Sequence, residues 1–244
     1  MSLTVPTPVP YDAALRERVA AHLADHDRRV ADAEGRRHAA VAVVLVDSAP
    51  GEVRVDPPRD AADEAAPGVH ELDGRMENVS GGAAFLLSRR SGRLRTHSGQ
   101  WALPGGRIDE GEDAVDAALR ETDEELGVRL SRDDVLGLLD DYPTRSGYVI
   151  TPVVVWGGGP LDLRPSPDEV LAVYRVGLHQ LLRSDSPRFL DIPESDRPVV
   201  QIPLGDTDRV HAPTAAVLLQ FRRLGLDGDP TRVDDLEQPT FAWR

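Results

Sequence analysis

Gly106-Arg107-Ile108-Asp109-Glu110-Gly111-Glu112-Asp113-Ala114-Val115-Asp116-Ala117-Ala118-Leu119-Arg120-Glu121-Thr122-Asp123-Glu124-Glu125-Leu126-Gly127-Val128 is the most informative run of the chain. From Glu112 to Leu126 it repeats with helical period, placing Val115, Ala118, Leu119 and Leu126 on one side with Thr122 in the same stripe. Gly127 stands where a helix closes on a left-handed residue. Between Asp109 and Glu125 there are nine acids against one base, Arg120. Glu121, Glu124 and Glu125 occupy i, i+3 and i+4, so their carboxylates rise from adjacent points of one face, away from the apolar stripe. In a cleft of effective dielectric near 20, carboxylates about 5.5 Å apart repel by roughly 3 kcal/mol per pair. On a solvated face such pairs cost only about 0.2–0.5 kcal/mol. Charge density alone therefore leaves open a cation site and a wet helix.

Outward from this helix, strands are expected. Upstream, Trp101 to Gly106 ends at a Pro-Gly-Gly turn, and Ala83 to Ser88 is a short apolar strand. Residues 48–82, rich in Pro, Gly and acids, read as a long polar insertion with at most a weak hairpin, either a surface excursion or a lid over substrate. His38 to Asp47 is nearly all Ala, Val and Leu, the composition of a buried strand. Leu15, Val19 and Leu23 recur at helical spacing within a charged stretch, Tyr11 to Arg29. Downstream, Val135 to Asp140 and Tyr148 to Trp156 read as consecutive strands, and Val170 to Leu178 as another followed by a helical turn. Val199 to Leu204 could be a last strand, Pro213 to Leu226 a closing helix, and Asp227 to Arg244 a loosely held tail. The sheet is expected to be at least partly antiparallel.

The 244 residues suit one core with additions. All 28 basic side chains are Arg, and 42 Asp and Glu give a net charge of −14. A protein that binds nucleic acid by neutralising phosphates is unlike this. An anionic substrate would need a metal bridge or a local Arg cluster. Without Cys there are no disulfides, thiolate zinc sites or thiol nucleophiles, which fits a reducing, cytoplasmic setting. No apolar run approaches the roughly 20 residues of a membrane span, and the first thirty residues hold no secretory apolar region.

The run Gly106, five residues, Glu112, seven residues, Arg120-Glu121, then Glu124-Glu125, Leu126, Gly127 and Val128 resembles the signature of the Nudix hydrolases. Seven fixed identities at this spacing arise by accident with a probability on the order of one in a million. Thr122 departs, standing where the family prefers an aliphatic residue. The resemblance implies that Glu121, Glu124 and Glu125, with the backbone carbonyl of Gly105, hold Mg²⁺ or Mn²⁺. It implies that Arg120 orients Glu121, and that Glu112 fixes the loop before the helix. In some members the first helix glutamate is the general base and in others a distant acid. Here Glu169 is that external candidate, with a solvated strand-edge acid as the alternative.

Immediately upstream, Leu86 to Gly106 resembles the additional signature of the coenzyme A pyrophosphatase branch, with Arg90, Ser91, Leu94, Arg95, His97 and Gly99 in place. Ser88, Trp101 and Leu103 depart from it. Tyr142 to Tyr148, and Glu169-Val170 followed by Val176, are also similar. Arg89, Arg90, Arg93 and Arg95 form a basic island suited to a phosphate beyond the metal's reach, such as the 3′-phosphate of coenzyme A, unless they only balance nearby acids. Arg90, Arg95 and His97 are the candidate substrate contacts, His97 as a structural or hydrogen-bonding residue and not a metal ligand.

The reading is an α/β protein: a Nudix-type α/β/α sandwich with a mixed sheet. It has an N-terminal helical extension (1–36), a catalytic domain (37–226, with the insertion 48–82) and a C-terminal tail (227–244). The expected partner is a small nucleotide diphosphate derivative, with neither nucleic acid nor membrane, and a homodimer stays open. Coenzyme A or acyl-coenzyme A is the expected substrate; ADP-ribose or NADH hydrolysis, and a noncatalytic ligand sensor, are the alternatives.

Overall fold

The computed structural model describes residues 6–32, 35–52, 54–56, 79–91, 100–159, 161–205 and 208–239. In chain order its elements begin with α1 (Ala13–Ala24), β1 (Arg37–Ser48), β2 (Arg54–Val55), β3 (Gly82–Arg90), β4 (Trp101–Ala102), β5 (Gly105–Arg107) and α2 (Ala114–Leu126). There follow β6 (Val135–Leu138), β7 (Tyr142–Pro143), β8 (Tyr148–Trp156), β9 (Val170–Gly177), β10 (Arg188–Ile192), β11 (Ser195–Leu204), β12 (Asp208–His211) and α3 (Thr214–Gln220). A π-helical segment, Phe221–Leu226, prolongs α3.

The main sheet has nine strands in the order β2-β9-β3-β1-β8-β6, with β4 on β3, β5 on β1 and β7 on β8. It is mixed, because β1 and β8 run parallel while every other pair is antiparallel. Strand alternation sorts its side chains into two cores. Ala40, Ala42, Val44, Ala84, Leu86, Val153 and Val155 face α2 through Val115, Ala118 and Leu126. Val43, Leu45, Phe85, Leu87, Val154 and Tyr174 face α1, α3 and the second sheet. Both faces of β1, β3 and β8 are thus covered, which is why these strands read as unbroken apolar runs. The sandwich has α2 on one side and α1 with α3 on the other.

Helix α1 is shorter than the expected Tyr11–Arg29. It starts where Asp12 accepts from Leu15 N at 2.8 Å, and it buries Leu15, Val19 and Leu23 as their spacing requires. Helix α2 begins at Asp113, whose side chain accepts from Val115 N and Asp116 N, each at 2.9 Å. It ends at Gly127 with φ +68°, where an added Cβ would lie 2.8 Å from Arg164 Cβ. Thr122 is fully buried and donates to Ala118 O at 2.7 Å, so a hydroxyl is accommodated in an aliphatic position without loss of a partner.

Two expectations are corrected. Val199–Leu204 is part of a longer strand, β11, which lies between β10 and β12 in a separate antiparallel sheet. The segment after residue 227 is docked through residue 238. Val233, Leu236, Glu237 and Gln238 are buried, and Glu237 accepts from Arg145 at 2.5 Å, Arg197 at 3.0 Å and Ser195 at 2.9 Å. Of the polar insertion, Arg54–Val55 pairs with β9 at the sheet edge, and residues 57–78 lie outside the described residues. Among the described residues no helix is long and apolar enough to cross a membrane.

Candidate active site

The acidic face of α2 meets the β5 strand, which the Pro-Gly-Gly turn brings alongside β1. Ala42 N donates to Pro104 O at 2.8 Å, and Gly105 pairs with Val41. A Cβ on Gly105 would sit 2.3 Å from Ala40 O, so only glycine lets this strand approach. A Cβ on Gly106 would lie 2.1 Å from Glu121 Oε1, in the volume that the carboxylate itself fills. The Gly of the motif is thus a steric requirement of its Glu.

Arg120 is the hub of the surface. It donates through Nε to Glu112 Oε1 at 2.8 Å, through Nη1 to Glu121 Oε1 at 2.9 Å and to Glu124 Oε2 at 3.0 Å, and through Nη2 to Arg107 O at 3.0 Å. Glu112 also accepts from Asp109 N at 3.1 Å, which ties the loop to the helix start. The guanidinium holds the Glu112 carboxyl below its usual range, with the Asp109 N–H adding to the effect.

The three glutamates are not equivalent, and here the helical-wheel expectation is corrected. Glu124 is largely exposed and turned to Arg120, and Glu121 is mostly buried. Glu125, at 6% exposure, points inward beside the apolar stripe. Burial, followed by the fields of Glu121 and Glu169, pushes the Glu125 carboxyl up to about 8; the charge of Arg90 and the N–H of Gly105 oppose this. Burial likewise raises Glu121 against the pull of Arg120, with Glu124 and Glu169 adding their repulsion.

Glu169 thus acts on both buried glutamates from the loop before β9. Its backbone is pinned by Ser91 N donating to Glu169 O at 2.8 Å. Arg90, expected among the substrate contacts, is the cation in the field of Glu125, so one side chain serves the carboxylate cluster as well as the cleft. It lines a cavity of about 140 Å³ with Leu103, Gly105, Ile150, Thr214 and Val217. Arg93, Arg95 and His97 lie outside the described residues. The N–H of Gly105 on Glu125, and the contribution of Thr214 and Val217 from α3, were not foreseen; neither carries a local pattern.

Among the described residues no three acidic or histidine side chains close into a ready coordination cage. Arg120 engages one oxygen of Glu121 and one of Glu124. The donors nevertheless fit a hard divalent cation, since all are oxygens. Glu121, Glu125 and Glu169 repel one another in a partly dry site, a repulsion that a divalent charge would relieve.

The NUDIX domain family matches residues 75–197, just over half of the chain. The chain belongs to the Nudix family. It is 43% identical over 109 residues to the Escherichia coli (strain K12) protein named "Uncharacterized Nudix hydrolase NudL", covering 44% of this chain and 57% of that relative. The namesake from Photorhabdus laumondii is 39% identical over 109 residues, again 44% of this chain and 58% of the relative. The chain therefore matches less than two thirds of the length of these relatives. Among solved structures, a MutT/nudix family protein from Enterococcus faecalis is 17% identical. It covers 83% of this chain and 68% of its own, with a TM-score of 0.49. A NUDIX hydrolase from Nitrosomonas europaea is 16% identical over 81% of this chain and 76% of its own, with a TM-score of 0.44.

Proposed function

We propose that the chain hydrolyses the diphosphate bond of a nucleoside diphosphate derivative with the help of Mg²⁺ or Mn²⁺. The preferred substrate in this reading is coenzyme A or acyl-coenzyme A, giving 4′-phosphopantetheine and adenosine 3′,5′-bisphosphate. The observation that carries the reading is a mutually repelling set, the largely buried Glu121 and Glu125 with the exposed Glu169 beside them, in a chain that otherwise has every electrostatic reason to reject a polyanion. The coenzyme A assignment draws support from the upstream motif, whose Arg90 lines the cavity beside Gly105.

Glu121, Glu124 and Glu125, with the carbonyl of Gly105, would hold the cations. Bound cations supply polarised phosphoryl oxygens, a stabilised leaving phosphate and a bound water of lowered pKa. Arg120 keeps Glu121 from collapsing onto its neighbours by its 2.9 Å hydrogen bond. Glu112 holds Arg120 from the other side, which links the loop to the helix. Glu169, whose field reaches Glu121 and Glu125, would accept a proton from the attacking water as general base. Arg90 balances Glu125 and offers its remaining N–H groups to a phosphate.

Incubation with coenzyme A, ADP-ribose and NADH in the presence of Mg²⁺, with products identified by mass, tests this. Release of 4′-phosphopantetheine is expected. Cleavage of ADP-ribose or NADH alone would move the assignment within the class. Binding without turnover of any would mean a ligand sensor on this fold.

A further inference from the structure

A second cavity, of about 250 Å³, lies on the α3 side of the sheet between β3, β4 and the corner from β12 to α3. It is smaller than the roughly 300–1,000 Å³ that enclose a whole small-molecule ligand, so it suits one end of a ligand held mainly elsewhere. Pro213 and Thr214 line both this cavity and the smaller one at Arg90 and Gly105, so the two are neighbours.

The cavity is built around an arginine. The Arg89 guanidinium lies 4.8 Å above the Trp101 ring, its cross-strand partner. The ring is locked in turn by Tyr174 packed edge-on at 5.0 Å and by its indole N–H donating to Asp208 Oδ1 at 3.0 Å. Arg89 Nε is buried and has no hydrogen-bond partner among the described residues. A buried donor held on a rigid aromatic platform, with no acceptor among the described residues, is suited to an acceptor brought by a ligand. Arg209, from β12, adds a second guanidinium on the same wall. Its charge is felt at His211, whose imidazole is held below its usual range first by burial and then by that cation. Asp208 supplies one negative charge, and it is engaged by Trp101 and by Arg209 N at 3.0 Å.

We propose that this cavity binds a phosphomonoester of the substrate remote from the bond that is cut, with Arg89 and Arg209 as its cationic contacts and Trp101 as a positioning residue. The inference rests on the diphosphate reading of the neighbouring site. It divides the arginines: Arg90 serves the reacting diphosphate, and Arg89 the distant phosphate. It also recruits β12, which lies beyond the residues matched by the family.

The test is calorimetric titration of the full chain, with Mg²⁺, by adenosine 3′,5′-bisphosphate and by adenosine 5′-monophosphate. The bisphosphate is expected to bind at least tenfold more tightly. In Arg209→Gln that preference should fall to about one, and Arg209→Lys should recover part of it. Equal affinity of the wild type for the two ligands, binding of neither, or an unchanged preference in Arg209→Gln would overturn the proposal. Hydrolysis is scored separately with the three diphosphate substrates. Preference without hydrolysis removes the reaction and leaves the cavity, whereas hydrolysis without preference removes the cavity and leaves the reaction.

Discussion

Gly106→Ala separates the position of one carboxylate from the stability of the fold. An ideal Cβ at residue 106 falls 2.1 Å from Glu121 Oε1 and 2.4 Å from its Cδ. Ordinary van der Waals contact needs about 3.5 Å, so the carboxylate must retreat by more than about 1 Å. It is the free end of a flexible side chain, so it can swing aside, and Gly106 does not sit at the positive φ that would penalise alanine. The substitution is therefore expected to cost less than about 1 kcal/mol of stability. The 2.9 Å bond from Arg120 cannot survive the move. Misplacement of a catalytic group by about 1 Å lowers turnover by roughly a hundredfold. Steady-state hydrolysis with Mg²⁺, beside a thermal melt of the same sample, measures both. Activity within threefold of wild type would refute the placement of Glu121 in the machinery; a melting temperature lowered by ten degrees or more would refute the claim that the clash is local.

Two further perturbations follow from buried carboxylates with opposite surroundings. Glu125→Gln should abolish hydrolysis, yet without divalent cation it should melt no lower than wild type at pH 7: the folded carboxyl titrates near 8 against an ordinary 4.5, so ionisation opposes folding above pH 4.5. Retained hydrolysis would remove Glu125 from the cation site. Glu237 is the reverse case, held at about 2 first by its hydrogen bonds from Arg145. At roughly 1.4 kcal/mol per unit the shift corresponds to about 3 kcal/mol, reduced to about 2 by the half-exposed arginines. Because the folded pKa is depressed, this stabilisation is complete above pH 4.5 and disappears as pH falls toward 2. Urea titrations of Glu237→Gln should show a deficit of about 2 kcal/mol at pH 7 that narrows below pH 4.5, and equal stability at pH 7 would contradict it.

The parts of the fold that were legible are those whose burial is repetitive. Val43 to Val46 and Val153 to Val155 are covered on both faces, and no loop or exposed strand has that composition. Of the three-stranded sheet only Val199 to Leu204, in β11, was legible, and the rest was hidden for the converse reason. In β10, Phe189 and Leu190 are consecutive and both exposed, which cancels any alternation. In β11, Pro198 and Pro203 lack the donor that a strand interior needs, and the first residues are polar. The docking of the tail was invisible because its anchor, Glu237, is an acid whose partner Arg145 is 92 residues away.

The acidic motif implied an equivalence among its glutamates that their surroundings do not share. Spacing along a helix fixes an angle about its axis, and it put Glu121, Glu124 and Glu125 within one arc. It says nothing of what stands opposite each. Strand β5 and Arg90 stand opposite Glu125 and Arg120 stands opposite Glu124, so one glutamate is dried and the other is left in water. That asymmetry matters for a chain of net charge −14. A uniformly wet acidic face would hold cations weakly and exchangeably, because each oxygen keeps its hydration. A single dry carboxylate, crowded by Glu121 and Glu169 and only partly answered by Arg90, would attract a cation in a medium where the attraction is several times stronger. On β3, alternation sends Arg89 toward Trp101 and Arg90 toward Glu125, so adjacent arginines of one strand answer different partners.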